Sequence, residues 1–251
     1  FLLLIFSLPL AALPLPTSST ISFQFTEPIF LLAASLYAVS LLAGGSKPAE
    51  GKIYLFVGGY LIFIALSAIF SELPEASAVK AAGIAYLAGL AVLAFNIVRD
   101  EDALRRAIQA WLAAAALVSA FSVLILVLFY IDRDLGIVRF GLSHYGTFPR
   151  IQSLFANPNM LAHYLGISWM MLILAFERVW IPTKAGFSVG ALMAISAAFT
   201  LSPGIGVFFF CTGVFMLLRS GGGLARLIPA ALIVFSIVFI AVMAVKFEKN
   251  F

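Results

Sequence analysis

The chain has 251 residues, 63% of them hydrophobic and 10% charged, with a formal charge of +4 and a mean hydropathy of +1.13. No water-soluble domain needs that much apolar surface, and several runs reach the roughly 20 residues that cross a bilayer core. The Lys and Arg residues sit in short loops between those runs, which speaks against a nucleic-acid-binding face and for a role in orienting the chain.

The expected architecture is an all-α polytopic transmembrane bundle of about nine spans, forming a single domain over residues 1–251. Span one is about Phe1–Pro16, followed by the polar turn Thr17-Ser18-Ser19-Thr20. It has no basic segment before it and no small-x-small site after it, so it reads as a first span missing its beginning and not as a signal-peptide core. Span two is about Pro28–Ala43, stopped by Gly44-Gly45, and span three is Ile53–Phe70, stopped by Ser71-Glu72-Leu73-Pro74. Span four is about Ala76–Val98. Arg99-Asp100-Glu101-Asp102 then opens span five, which runs to about Ile131. These carboxylates belong electrostatically in the first turn of a helix and need no catalytic role.

A loop of about 25 residues, Asp132–Asn157, is the longest non-apolar stretch. Span six runs from Pro158 to about Ala175 and span seven from about Ala185 to Leu201. Span eight starts directly after Ser202-Pro203-Gly204 and ends near Leu218, and span nine covers about Leu227–Val245. Counting Lys and Arg in alternate loops gives nine on one side (Lys47, Lys52, Arg99, Arg105, Arg106, Arg178, Lys184, Arg219, Arg226) and six on the other (Lys80, Arg133, Arg139, Arg150, Lys246, Lys249). The richer side is expected to be cytoplasmic, with the N-terminus there and the 132–157 loop on the outer face.

Two helices then start on the outer face with one device, a cap residue followed by proline at the first helical position: Asn157-Pro158 and Ser202-Pro203. Free N–H groups at both starts favour an anion, and Gly204 and Gly206 would let a ligand approach the second one closely. With Arg150, and Arg139 in support, that face could hold a phosphate or pyrophosphate. The same residues also fit two well-capped helices and an arginine snorkelling to lipid head groups. His163, six residues into span six, is a candidate by the general standing of ionisable groups inside spans, or a partner for a neighbouring helix. His144, in the loop, is a candidate base or a surface histidine. The single Cys211 permits no internal disulfide, and no metal-ligand spacing or cofactor motif is present.

The stretch Arg150 to Leu165, with Leu-Phe-Ala-Asn-Pro-Asn-Met-Leu-Ala-His-Tyr-Leu opening a span, resembles the O-antigen ligase family of bacterial cell-envelope proteins, which includes O-antigen polymerases. A second family element, Thr-x-Ser in a turn roughly two spans later, is matched by Thr200-Leu201-Ser202; the likeness is best from Arg150 to about Phe210. It implies a metal-independent glycosyltransferase that moves a glycan from an undecaprenyl pyrophosphate carrier to an acceptor hydroxyl. Arg150 and Arg139 would bind phosphate, Asn157, Pro158 and Asn159 would hold the start of span six, and Ser202 and Gly204 would line the same pocket. Pro203 stands where the family usually carries an arginine. The family's catalytic histidine lies in a large outer loop expected beyond Lys246–Phe251, so the sequence reads as a portion of a longer protein. The alternative is a non-catalytic subunit of a larger membrane complex, joined to other subunits through small-residue faces at Ala81-Ala82-Gly83, Ala113–Ala116 and Gly186-Phe-Ser-Val-Gly190. A transporter is less favoured, since no span is clearly broken midway.

Overall fold

A computed structural model of the chain describes residues 1–12, 26–45, 47–145, 148–219 and 230–238. The polar turn at Thr17–Thr20, Arg226, the basic tail and all of span nine except 230–238 lie outside them. The protein is mostly helical: α1 (Leu2–Ser7), a 3-10 turn (Leu8–Ala12), α2 (Thr26–Leu42), α3 (Ile53–Ile69), α4 (Pro74–Ile97), α5 (Glu101–Ile131), α6 (Gly136–Gly141), β1 (Leu142–Tyr145), β2 (Phe148–Ile151), α7 (Pro158–Glu177), α8 (Thr183–Thr200), α9 (Pro203–Arg219) and α10 (230–238). Among the described residues α4, α5 and α7 are long and apolar enough to cross a membrane, at 24, 31 and 20 residues.

Span one differs from expectation. Its α-helix stops at Ser7 and the chain tightens into a 3-10 turn over Leu8–Ala12. Pro9 has no N–H to give to Ile5, and its ring collides with that carbonyl, so a regular helix cannot continue through it. The 132–157 segment is also more ordered than a plain loop, since it folds into α6 and a two-stranded antiparallel hairpin.

Contacts divide the chain into two compact units, Phe1–Leu4 with Glu27–Ala107, and Ile5–Thr26 with Ile108–Phe251. In the first, α3 buries no residue, and Leu55, Phe56, Ile62, Phe63, Ile69 and Phe70 are all exposed. An apolar surface of that extent fits lipid contact, not water. One polar centre ties this unit together. Asn96 in the last turn of α4 is buried, and its Oδ1 accepts from Tyr37 Oη (2.8 Å), Tyr54 Oη (2.9 Å) and the Ala49 N–H (2.9 Å). Its amide donates to Val92 O at 2.8 Å, which fixes the rotamer. Arg99 extends the link, donating to Asn96 O at 2.7 Å and to Lys47 O. Asp100 then caps α5, accepting from the Ala103 N–H at 2.6 Å.

In the second unit α8 returns antiparallel along α7. Gly186 lies against Phe176 and Ile181, and Gly190 against Leu172 and Trp169. A Cβ at Gly186 would overlap the Phe176 ring, so this Gly-x-x-x-Gly pair is used inside the unit to bring α8 close to α7. It does not form the partner-facing stripe expected from sequence. Next, α9 runs parallel to α7, with Gly204 beside His163, Gly166 beside Phe208, and Thr212 Oγ1 3.8 Å from Met170 Sδ. On the other side of α7, α5 contributes Trp111, whose Nε1 donates to Ser168 Oγ at 2.8 Å and whose ring stacks on Tyr164 at 5.2 Å. The core holds Val118, Ile125, Val138, Leu142, Ile151, Leu161, Leu165 and Met193, so the α6–hairpin segment is anchored by apolar side chains of its own.

Both α2 and α7 end in the same hydrogen-bonded motif. After α2, Gly44 takes a φ of 70°, and Gly45 N–H reaches Ser40 O at 2.9 Å. After α7, Trp180 N–H reaches Ala175 O at 2.9 Å, but the left-handed position is filled by Val179 at φ 55°. Glycine suits that conformation and a β-branched residue does not.

Candidate functional site

The strand that carries Arg150 is held from both sides. In the hairpin Ser143 pairs with Arg150 and His144 with Pro149. Ile151 is fully buried in the core, and since neighbouring strand residues point to opposite faces, Arg150 turns away from that core. The chain leaves the hairpin through Gln152 and Ser153, whose N–H groups both donate to Gly141 O, at 3.0 and 3.1 Å. Ser153 sits at φ 55°, fully buried, and its hydroxyl donates to Val118 O on α5 at 3.3 Å. A turn closed by Phe155 N–H to Gln152 O at 3.0 Å delivers Asn157 in an extended conformation.

Asn157 is the cap of α7: its Oδ1 accepts from the Met160 N–H at 2.9 Å, with Pro158 at the first helical position. Asn159 lies in the first turn of the same helix. Its Oδ1 accepts from Arg150 Nη2 at 2.8 Å, while Arg150 Nε donates to Thr200 O at 2.8 Å. The half-buried guanidinium thus joins the start of α7 to the last carbonyl of α8. That carbonyl has no helical partner, and the negative end of the helix dipole favours a cation beside it. The sequence gives no sign of the Thr200 carbonyl as a partner, because a main-chain atom fifty residues away leaves no residue-type signature.

The α8–α9 connection is two residues long. Leu201 adopts φ 48°, a left-handed helix end, and Ser202 N–H donates to Thr200 Oγ1 at 3.3 Å. Helix α9 then begins at Pro203, with Ile205 N–H going to the Ser202 carbonyl at 3.1 Å. Ser202 therefore occupies the cap position, but the bond there comes from its main chain and not from its hydroxyl. Parallel α7 and α9 present their N-termini at one end of the unit. A Cβ built on Gly204 would lie 3.5 Å from His163 Cε1 and 3.6 Å from Ser202 Oγ.

Arg150, Asn159, the Thr200–Ser202 turn, Gly204 and His163 therefore lie around the meeting point of the α8 C-terminus with two helix N-termini. Asn157 and Pro158 shape that point without facing it. Arg139 lies on α6 and His144 on β1; their side chains fall outside what is described. No group of three or more His, Cys, Asp or Glu side chains that could hold a metal occurs among the described residues. A fixed guanidinium beside the partial positive ends of two helices is suited to a phosphate or pyrophosphate oxygen. Comparisons with family models, with curated proteins and with solved structures find no match.

Proposed function

We propose that the protein is an O-antigen ligase-like membrane glycosyltransferase component that binds the pyrophosphate of a polyprenyl-linked glycan at Arg150. The observation that carries this reading is the bridge from Arg150 to Thr200 O and Asn159 Oδ1, beside the starts of α7 and α9. In this reading the chain lies in a bacterial inner membrane with its N-terminus cytoplasmic and the α6–hairpin segment periplasmic, its remaining apolar helices completing about nine spans.

Transfer would proceed by attack of an acceptor hydroxyl on the anomeric carbon. The bond from that carbon to the pyrophosphate oxygen breaks, and the carrier pyrophosphate leaves with the electron pair. Arg150 and the helix ends stabilise the charge that develops on the leaving oxygen, where preorganised donors contribute most. The acceptor's proton passes to a base, for which His163 is the candidate at the site and His144 the candidate on the hairpin.

The test is to incubate the protein in vesicles with a polyprenyl pyrophosphate-linked oligosaccharide and a hydroxyl acceptor. Acceptor-linked glycan and free polyprenyl pyrophosphate should appear together, and both should fall at least tenfold with Arg150→Gln. Transfer that Arg150→Gln leaves intact removes the assignment. The alternative, a non-catalytic subunit, has lost one of its supports, since Gly186 and Gly190 face α7.

A further inference from the structure

Two buried hydroxyls tie the elements that carry Arg150 and its partner carbonyl to a single turn of α5. Ser153 follows the strand of Arg150, and its Oγ donates to Val118 O at 3.3 Å, a carbonyl that Ser122 Oγ also engages at 2.8 Å. Ser196 lies one helical turn before Thr200. Its Oγ is shared between Leu192 O in its own helix, at 2.9 Å, and Ser119 O on α5, at 3.1 Å. Ser153, Ser196 and Thr200 are all fully buried. Adjacent carbonyls of one helix thus receive a bond from the strand end that delivers the guanidinium and a bond from the helix end that delivers its acceptor, Thr200 O. A serine in a helix can satisfy itself on the carbonyl four residues back, as Ser122 and Ser236 do. Ser196 reaches beyond that, to another helix. Ser153 makes the stronger case, because its φ of 55° lies in the left-handed region, where glycine sits without strain and an L-residue does not. Glycine would suit that backbone better, so the hydroxyl is what serine contributes there.

Resting on the reading of Arg150 as a pyrophosphate site, we infer that Ser153 and Ser196 are positioning residues for it: by holding β2 and the end of α8 to neighbouring carbonyls of α5, they aim the Arg150 guanidinium. Neither touches the ligand. Loss of either hydroxyl leaves Arg150 in place but frees the strand end or the helix end, so its Nε–H spends part of its time away from Thr200 O. Affinity then falls because binding has to restore an alignment that the wild type already holds. Ser119 supplies a control within the same turn. Its hydroxyl is fully buried and has no partner among the described residues, so removing it breaks neither tie.

The full 251-residue chain, in detergent and labelled with heavy nitrogen in its arginines, shows the Arg150 Nε–H as the signal that Arg150→Gln removes. Hydrogen exchange at that signal, affinity for farnesyl pyrophosphate by calorimetry and the thermal midpoint are read for each variant. Ser153→Gly and Ser196→Ala should each speed the exchange by about tenfold, as local opening exposes the group. Each should weaken farnesyl pyrophosphate by about fivefold, the equivalent of one neutral hydrogen bond. Ser153→Gly should do so with an unchanged or raised midpoint, since its backbone relaxes, and this separates aiming from stability. Ser119→Ala should match wild type in exchange and affinity. Wild type that does not bind farnesyl pyrophosphate overturns the Arg150 reading, and the role in binding with it. Wild type that binds, while Ser153→Gly and Ser196→Ala match it in exchange or in affinity, overturns the positioning role alone. Equal effects from Ser119→Ala overturn it too. Should Ser196→Ala fail to fold, Ser153→Gly decides the matter.

Discussion

Replacing Asn96 by alanine should destabilise the first unit by about 2 kcal/mol, more than any single exposed polar contact there. One oxygen accepts from Tyr37, Tyr54 and the Ala49 N–H, and the amide donates to Val92 O. Alanine removes the common acceptor of all three donors while leaving them in place. A neutral hydrogen bond contributes about 0.5–1.5 kcal/mol in water-soluble proteins, but polar contacts between membrane helices average about 0.6 kcal/mol. The lower figure applies to the two tyrosines, which are half-buried and can turn their hydroxyls elsewhere. The Ala49 N–H is a main-chain donor with less freedom, and its loss sits at the upper end. Tyr37→Phe and Tyr54→Phe should each cost under about 1 kcal/mol, because each removes one donor from an acceptor that keeps two others. Combining either with Asn96→Ala should add almost nothing, since the shared contact is already gone. The assay is equilibrium unfolding in mixed micelles, comparing wild type, the singles and the doubles. A loss below about 0.5 kcal/mol for Asn96→Ala, or additive doubles, would refute the hub.

Other substitutions test single features of the fold. Val179→Gly should raise stability by about 0.5–1 kcal/mol in the same unfolding assay, since an L-residue pays about 1–2 kcal/mol in the left-handed region and glycine returns part of that as chain entropy. Val179 is 83% exposed, so little contact is lost with the side chain; a fall in stability would contradict the assignment. Gly186→Ala and Gly83→Ala form a matched pair. The first should lower the thermal midpoint, because overfilling a tight contact costs about 1–3 kcal/mol against about 1 kcal/mol of helix propensity. The second, with nothing within 4 Å of the new methyl, should raise it. Arg150→Gln should cost about 1–2 kcal/mol after allowance for its partial exposure, and Asn159→Ala should add little on top of it.

Much of the helix layout was legible because apolar runs and their stops are written in residue types. Spans two to eight correspond to helices whose ends fall within about two residues of expectation, and proline marks the starts of α4, α7 and α9. The break after Ser7 follows from Pro9 by the same logic but is masked by the hydropathy of the run. The hairpin was not legible: four-residue strands are too short for alternation to register, and Phe148-Pro149-Arg150-Ile151 reads as a loop until Ile151 is seen buried. At the candidate site, Arg150, His163, Ser202 and Gly204 could be chosen by type and by nearness to helix starts. Their convergence required the parallel course of α7 and α9, which no local pattern encodes. Asn157 caps α7 as its residue type and place before Pro158 suggest, whereas the contact of Asn159 with Arg150 depends on the hairpin and has no local signature. Asn96 was passed over although an amide in an otherwise apolar span was the available signal. The Gly186–Gly190 pair was recognised as a close-approach motif, but spacing says nothing about which helix approaches.

The central claim is that Arg150 holds a pyrophosphate, and titration of the purified protein with undecaprenyl pyrophosphate, wild type against Arg150→Ala, tests it most directly. The account predicts saturable binding by wild type and a loss of about 1.5–3 kcal/mol in the variant, the range for hydrogen bonds to a charged group. Equal affinities, or no binding by a folded wild type, would leave Arg150 as a clasp between α7 and α8 and nothing more.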